Sequence, residues 1–231
     1  MQTRAQVESA EGDQLRAKIA LVIPALVDAS TRLATHPQIA DLYPEYLFAV
    51  HAVIRASVPL METARERAED QAPDDPVSAG LARYLAEHIP EERDHDEWLL
   101  EDLEAIGVDR SAILGRPPSS TIAAVVGAQY YWIFHYHPVA LLGYIAVLEG
   151  YPPTVELLDE MVARTGYRPE AFRTLIQHAE LDPGHRAELD STLDSLPLTQ
   201  EQSAAVGVSA LYTVQMLSRC LEEISNQSEL S

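Results

Sequence analysis

The chain has 231 residues, 47% of them hydrophobic and 6% aromatic, with 10 glycines and 15 prolines. This excludes collagen-like and low-complexity chains and leaves ample apolar material for one large core. Thirty-six acidic residues against 16 basic ones give a net charge of −20, which excludes a nucleic-acid backbone or an anionic membrane surface as partner, since both require clustered Lys and Arg.

The opening residues, MQTRAQVESAEGDQLRAK, are polar and lack the apolar stretch of a secretory signal. Residues 1–12 and 226–231 are expected to fray. From there on apolar residues recur with helical spacing, and no segment alternates long enough to read as a strand. A first helix is predicted over Gln14–Ala34, kinked at Pro24 and ended by His36-Pro37, because the residue before proline is pushed out of the helical region. A second runs over Pro44–Glu69, with Pro44 in the first turn, and QAPDDP at 71–76 is a loop. A third covers Val77–Ile106, broken at Pro90 and ended by Gly107. A fourth covers Ser120–Leu148, broken at Pro138 and ended by Gly150. Pro152-Pro153 opens a fifth, which Gly166 closes; the sixth spans Pro169–Leu193 and the seventh Leu198–Ile224. The longest apolar run, Val139–Leu148, is too short to cross a bilayer, and a cytoplasmic protein is expected. One cysteine, Cys220, excludes an intrachain disulfide and a cysteine-rich zinc site. No linker of interdomain size and no internal repeat interrupts the pattern. The expectation is an all-α fold, a single domain over residues 1–231 built as a bundle of about seven helices.

Histidine carries the chemical signal. Six of the eight form three short pairs, His88/His95, His135/His137 and His178/His185; His36 and His51 stand alone. In His178-Ala-Glu-Leu-Asp182-Pro-Gly-His185 the three polar residues sit at i, i+4 and i+7, on one helix face. Two imidazoles and a carboxylate suit Fe(II), Mn(II) or Zn(II); the alternative is a polar stripe on a surface helix. Upstream, Glu91 and Glu92 each lie one turn before His95, with His88 two turns back on the same side. Glu-x-x-His on bundle helices is the arrangement of di-iron carboxylate proteins; the alternative is a solvated acidic face, which Asp94, Asp96, Glu97, Glu101 and Asp102 would extend. Glu149 is the lone acid at the end of the apolar run, and a buried carboxylate is costly unless paired or metal-bound. Together Glu92, His95, Glu149, His178, Asp182 and His185 form a nitrogen- and oxygen-rich donor set without thiolate, better suited to iron or manganese than to structural zinc.

The segments Tyr84–Trp98, His137–Gly150 and His178–His185 resemble the haem-oxygenase-like di-iron oxidases and oxygenases, the iron-containing redox enzymes of the haem-oxygenase-like fold. The resemblance runs from about Tyr46 to Leu217 and rests chiefly on an ordered trio: carboxylate plus histidine, a lone glutamate, then His-x-x-x-Asp-x-x-His. It implies a bundle of about seven helices and O2 activation at two Fe(II) ions per chain, with Mn as the alternative metal. Carried over position by position, His95, Glu149, His178, Asp182 and His185 match. Members place the other carboxylate three or seven residues before the histidine. Here the seventh position is His88, so Glu92 takes the role and His88 becomes an extra ligand or a neighbour of one. A further glutamate is expected from the preceding helix, where His51, Arg55, Val58 and Glu62 form one stripe; Glu62 is the candidate. Arg55 is placed to hold a substrate carboxylate or to pair with an acid, and His51 to line a pocket or the core. Pro183 departs from the pattern and should bend the helix between Asp182 and His185. Cys220 is a poor match to the nucleophile of the related thiaminase-like enzymes.

The resulting expectation is a non-haem di-iron oxidoreductase acting with O2 on a small amine- or carboxylate-bearing metabolite, by N-oxygenation or oxidative cleavage, with an electron donor and a homodimer left open. Two alternatives stand beside it: a cofactor-free or single-metal oxidase like the quinone-cofactor synthases, and a non-catalytic helical bundle that binds a metal or small ligand.

Overall fold

Prolines and caps divide the helical periodicity more finely than seven segments. A computed structural model describes residues 10–229; among these there are eleven α-helices and no strand. The first predicted helix is two: α1 (Glu11–Ala20) and α2 (Ile23–Ala34), with Pro24 in the first turn of α2, where its missing N–H costs nothing. Helix α3 (Ile39–Gln71) starts before Pro44, so both Pro44 and Pro59 lie inside it. Asp75 caps α4 (Pro76–Glu92) by accepting the Val77 and Ser78 N–H groups at 3.0 and 3.1 Å. Pro90 does not break α4. The break comes at Arg93-Asp94, where Arg93 is extended and Asp94 is left-handed at φ 70°, and α5 (His95–Ala105) starts afresh.

The short α6 (Arg110–Leu114) was not foreseen. Helix α7 (Ser120–His135), a 3-10 turn at Pro138–Ala140 and α8 (Leu141–Leu148) follow the expected interruption at Pro138. Gly166, at φ 67°, ends α9 (Val155–Thr165) as a left-handed cap. A 3-10 turn at Pro169–Phe172 leads into α10 (Arg173–Ser195), which continues as α-helix through Pro183. Thr199 and Gln202 form a capping box at the start of α11 (Gln200–Ser225). Of the segments expected to fray, residues 11–12 open α1 and 226–229 form a 3-10 turn; the remainder, apart from residue 10, lies outside the described residues.

Helices α3 and α11 are the long members around which the others gather: α3 packs on α4, α5 and α7, and α11 on α8, α2 and α7. By length and hydropathy alone both would cross a bilayer, which run length did not register; here 44% and 50% of their most apolar windows are buried inside the bundle. At the start of α3 the core is anchored by Tyr43, stacked on Phe172 at 4.5 Å and donating its hydroxyl to the Ala171 carbonyl at 2.7 Å. Helices α8 and α11 touch backbone to backbone at Gly143, where a Cβ would lie 2.1 Å from the Val206 carbonyl oxygen. Arg16 of α1 donates to the Ala146 carbonyl of α8 at 2.8 Å and to Asp190 of α10 at 2.9 Å. These ties hold the end of α8 against α10, where the site forms.

Candidate metal centre

Helices α4, α5 and α10, together with the end of α8, bring the histidines and acids to one place. From α10 the i, i+4, i+7 spacing sends His178, Asp182 and His185 inward, and Asp182 is 2% exposed. Glu149 is the C-cap residue of α8. His88 and Glu92 occupy the last two turns of α4, and His95 is the first residue of α5. Glu92 and His95 are therefore on two helices rather than one, and the extended and left-handed pair between them turns both side chains to the same point: Glu92 Oε2 lies 3.2 Å from His95 Nδ1. The other Glu92 oxygen, Oε1, lies 3.4 Å from His185 Nδ1. His88 Nε2 donates to Glu149 Oε1 at 2.8 Å, and Glu149 Oε2 is 4.0 Å from His185 Nδ1. The His95 and His178 rings meet edge-on at 4.9 Å, as do those of His88 and His185 at 5.0 Å.

Three triads have ligand atoms close enough to hold one ion: Glu92/His95/His178, His88/Glu92/Glu149 and His88/Glu91/His185. Glu92 belongs to two of them, and so does His88. Six of the atoms that face this cluster are buried without a hydrogen-bond partner: His88 Nδ1, Glu92 Oε1, His95 Nδ1, Glu149 Oε2, Asp182 Oδ1 and His185 Nδ1. Buried polar atoms are rarely left so, and several within one cluster fit a bound cation. His178 is oriented separately: its Nδ1–H donates to the Thr174 carbonyl at 2.8 Å, which leaves Nε2 with the lone pair a metal requires.

The electrostatics agree. Burial, then the charges of Glu149 and Glu92, push the Asp182 carboxyl up to about 8. Burial likewise raises Glu149, against the lowering effect of His88. Burial acts to raise Glu92 too, but His95, with His88 and His178, brings it below the ordinary glutamate value. Burial acts to lower His88, and Glu149 more than reverses it. Desolvation lowers His178 and keeps it neutral, the form that ligates. Burial and neighbouring charge thus favour the protonated forms of Asp182 and Glu149, and a bound cation would reverse both shifts.

Other residues expected at the site lie elsewhere. Glu62 is partly exposed and accepts from Arg93 at 3.1 Å, so it stands outside the three triads. Arg55 is exposed and His51 is buried on a different side of α3, facing Asp96 and Glu97, so neither lines the cavity described below. Two residues emerge with more prominence than their sequence context suggested. Glu91 lies 3.6 Å from His88 Nδ1 and 3.7 Å from His185 Nε2. Asp102, read as part of a solvated acidic face, is 1% exposed and accepts the Thr174 N–H at 2.9 Å. Its spacing of seven from His95 was the available signal: both lie on the inward face of α5.

A family model described as iron-containing redox enzyme matches residues 48–217. The chain belongs to this family. No protein of curated function matches it in sequence. Solved structures share its fold at low identity. A domain of unknown function with a heme oxygenase-like fold from Shewanella denitrificans superposes with a TM-score of 0.81 at 19% identity, over 94% of this chain and 93% of that one. A TenA homolog from Pseudomonas syringae gives 0.69 at 14%, over 97% and 98%. A CADD-like protein of unknown function from Nostoc punctiforme gives 0.67 at 16%, over 94% and 98%. The haem-oxygenase-like fold is thereby shown, as the resemblance implied, and it is all-α, as the helical pattern implied.

The donor set of this iron-containing redox enzyme, imidazole and carboxylate without thiolate, fits iron. Beside it lies a cavity of about 330 Å3. Its inner end carries Glu92, Glu149, His178 and Asp182; its outer end carries the exposed residues Val27, Thr31 and Thr154. The walls between are mostly aliphatic, and no lysine or arginine lines them. Cys220 does line the cavity, but burial, with the charge of Glu223, pushes its thiol up to about 11. It is held as the neutral thiol, unsuited to nucleophilic attack at neutral pH.

Proposed function

We propose that the chain is a non-haem di-iron oxidoreductase that uses O2 on a small-molecule substrate bearing an amine or carboxylate. The carrying observation is that Glu92 belongs both to the triad with His95 and His178 and to the triad with His88 and Glu149. A carboxylate common to two neighbouring three-residue sites has the character of a bridge between two ions. In this reading His95 and His178 serve one ion and His88, Glu149 and His185 the other; Asp182, which belongs to none of the three triads, is a further ligand through its buried, unpartnered Oδ1. Glu91 is the further candidate at the second site.

Two irons at this site would supply O2 binding and the oxidising power. The protein supplies the rest. Thr174 holds the His178 ring in one orientation. The aliphatic walls keep bulk water from the inner end of the cavity, where electrostatic interactions gain strength. Ser57 and Tyr144, hydrogen-bonded at 3.0 Å, satisfy each other within the lining. Electrons beyond those of the substrate would come from a separate donor, and the cytoplasm is the compartment we assign.

Anaerobic Fe(II) titration followed by O2 tests the reading. Two irons per chain and an O2-dependent optical change are expected, and both are lost in His178→Ala and His185→Ala while the helical spectrum stays. One iron per chain would favour a single-metal oxidase; no iron, or variants that load like the wild type, would overturn the assignment.

A further inference from the structure

The cavity that meets the cluster is apolar along most of its length. Charged side chains line it only at the inner end, and all of them are acids. A free amino acid or another compact zwitterion seated there would press a charged group against aliphatic walls with no cationic partner, at a cost hydrogen bonding does not offset. A molecule with a single polar head and an apolar tail meets no such cost. Its head reaches Glu92, Glu149, His178 and Asp182, and its tail lies against the aliphatic lining. The volume of about 330 Å3 is that of a small-molecule site.

The far wall is specific. Ala49 of α3 and Cys220 of α11 line this cavity and also a second pocket, of about 160 Å3, which Glu45 and Arg116 line on its other side. Both wall residues are small and buried. The second pocket is half polar in character, with Glu45 and Arg116 joined by a bidentate ion pair. Ala49 and Cys220 are thus common to the linings of an aliphatic chamber and a charged one.

We infer that the cavity takes a substrate with an apolar tail, and that Ala49 and Cys220 form the stop that sets the tail's length. This rests on the proposed function for what happens at the head, but not for the tail's binding. Within the chamber each added methylene should tighten binding about fourfold. Beyond the stop the gain should cease, because the next carbon meets either the wall or the charged pocket.

Calorimetric titration of the full-length protein with straight-chain 1-alkanols, from hexanol to dodecanol, tests this. Affinity should climb about fourfold per carbon and then level at one length. Cys220→Phe and Ala49→Leu should each move that length to shorter alkanols, with the far-UV spectrum unchanged; should one of them fail to fold, the other suffices. Absence of alkanol binding, affinity without length dependence, or a limit unmoved in every folded variant would overturn the inference. Iron content measured on the same samples separates the two readings. Two irons without alkanol binding sinks the tail and leaves the metal centre, and alkanol binding without iron does the reverse.

Discussion

Glu92 and His95 meet at 3.2 Å across a break in the helix, not along one. Arg93 extended and Asp94 left-handed, at φ 70°, replace the turn that a continuous helix would place there. A left-handed L-residue costs roughly 1–2 kcal/mol, less for Asp than for most, and glycine adopts it freely. Asp94→Gly should leave melting temperature and iron affinity near wild type. Asp94→Val should lose roughly 1–2 kcal/mol and weaken iron binding, because it pulls Glu92 and His95 apart. Thermal melts and anaerobic Fe(II) titration of the pair check this; equal behaviour of the two variants would show that the break does not position the ligands.

Glu149 is buried beside Glu92 and Asp182. Its removal should act chiefly on the loaded protein and leave the metal-free one little changed. Glu149→Gln keeps an acceptor for His88; it removes a desolvated carboxyl but also the carboxylate that faces His88, so the apo form should change by less than about 1 kcal/mol. For the wild type, free Fe(II) at about a hundred times Kd contributes about 2.7 kcal/mol, a rise of roughly 5–10 °C in Tm for a chain of this size. In Glu149→Gln that rise should shrink or vanish. An unchanged Fe(II)-induced shift would remove Glu149 from the ligand set.

Asp75 sets a stability term with a defined pH window. Burial acts to raise its pKa, but hydrogen bonds from Ser78, His137 and the Val77 and Ser78 N–H groups bring it to about 2, below the unstructured value of 3.8. A depressed carboxylate stabilises fully above its unfolded pKa and loses that contribution as pH falls toward the folded one. At about pH 6, Asp75→Ala should cost about 1–2 kcal/mol through the lost cap and its bond to His137. The gap should narrow as pH falls from 3.8 through about 2. Urea midpoints of both proteins along that range decide it, and a gap that widens on acidification would refute it.

Asp102 acts at a distance of one residue from His178, one of the proposed ligands. Its carboxylate accepts the Thr174 N–H, and the Thr174 carbonyl accepts the His178 Nδ1–H. Asp102→Ala leaves a buried N–H unpaired, at about 1–3 kcal/mol, and should weaken iron binding at the His178 site more than at the His185 site. Asp102→Asn should recover most of both. Iron titrations with the two variants measure the difference; normal iron affinity in a folded Asp102→Ala protein would reduce Asp102 to a helix cap.

Much of this site was legible before any coordinates. The interval from His178 to His185 is nearly two turns, so its face follows from helix geometry. Glu149 stands out because every neighbour in its run is apolar. The break at Arg93-Asp94 was not legible, since neither residue is glycine and Pro90 was the stronger local signal. Asp102 was hidden among the acids that surround it, which differ from it in burial and not in kind. For His51 the sequence left pocket and core open, and burial decides for the core: a helix 33 residues long has more than one buried side to face, and only packing decides which one meets the cavity. The helix count rose from seven to eleven among the described residues because Leu21-Val22 and Arg93-Asp94 divide helices without proline, Pro138 separates α7 from α8, and α6 forms after Gly107.

Pro183 sits between Asp182 and His185, and α10 continues through it with the Ala179 carbonyl deprived of its N–H. On one side of that turn α10 is fastened by Asp102, and on the other by Asp190 to Arg16. The weakest link of the helix therefore coincides with the turn that carries two donors, while both ends stay moored. In the proposed di-iron reading, opening of that turn alone would free two donors without melting the bundle. Chelated protein should accordingly show faster amide exchange just after Pro183 than elsewhere in α10, making this turn the doorway for metal traffic.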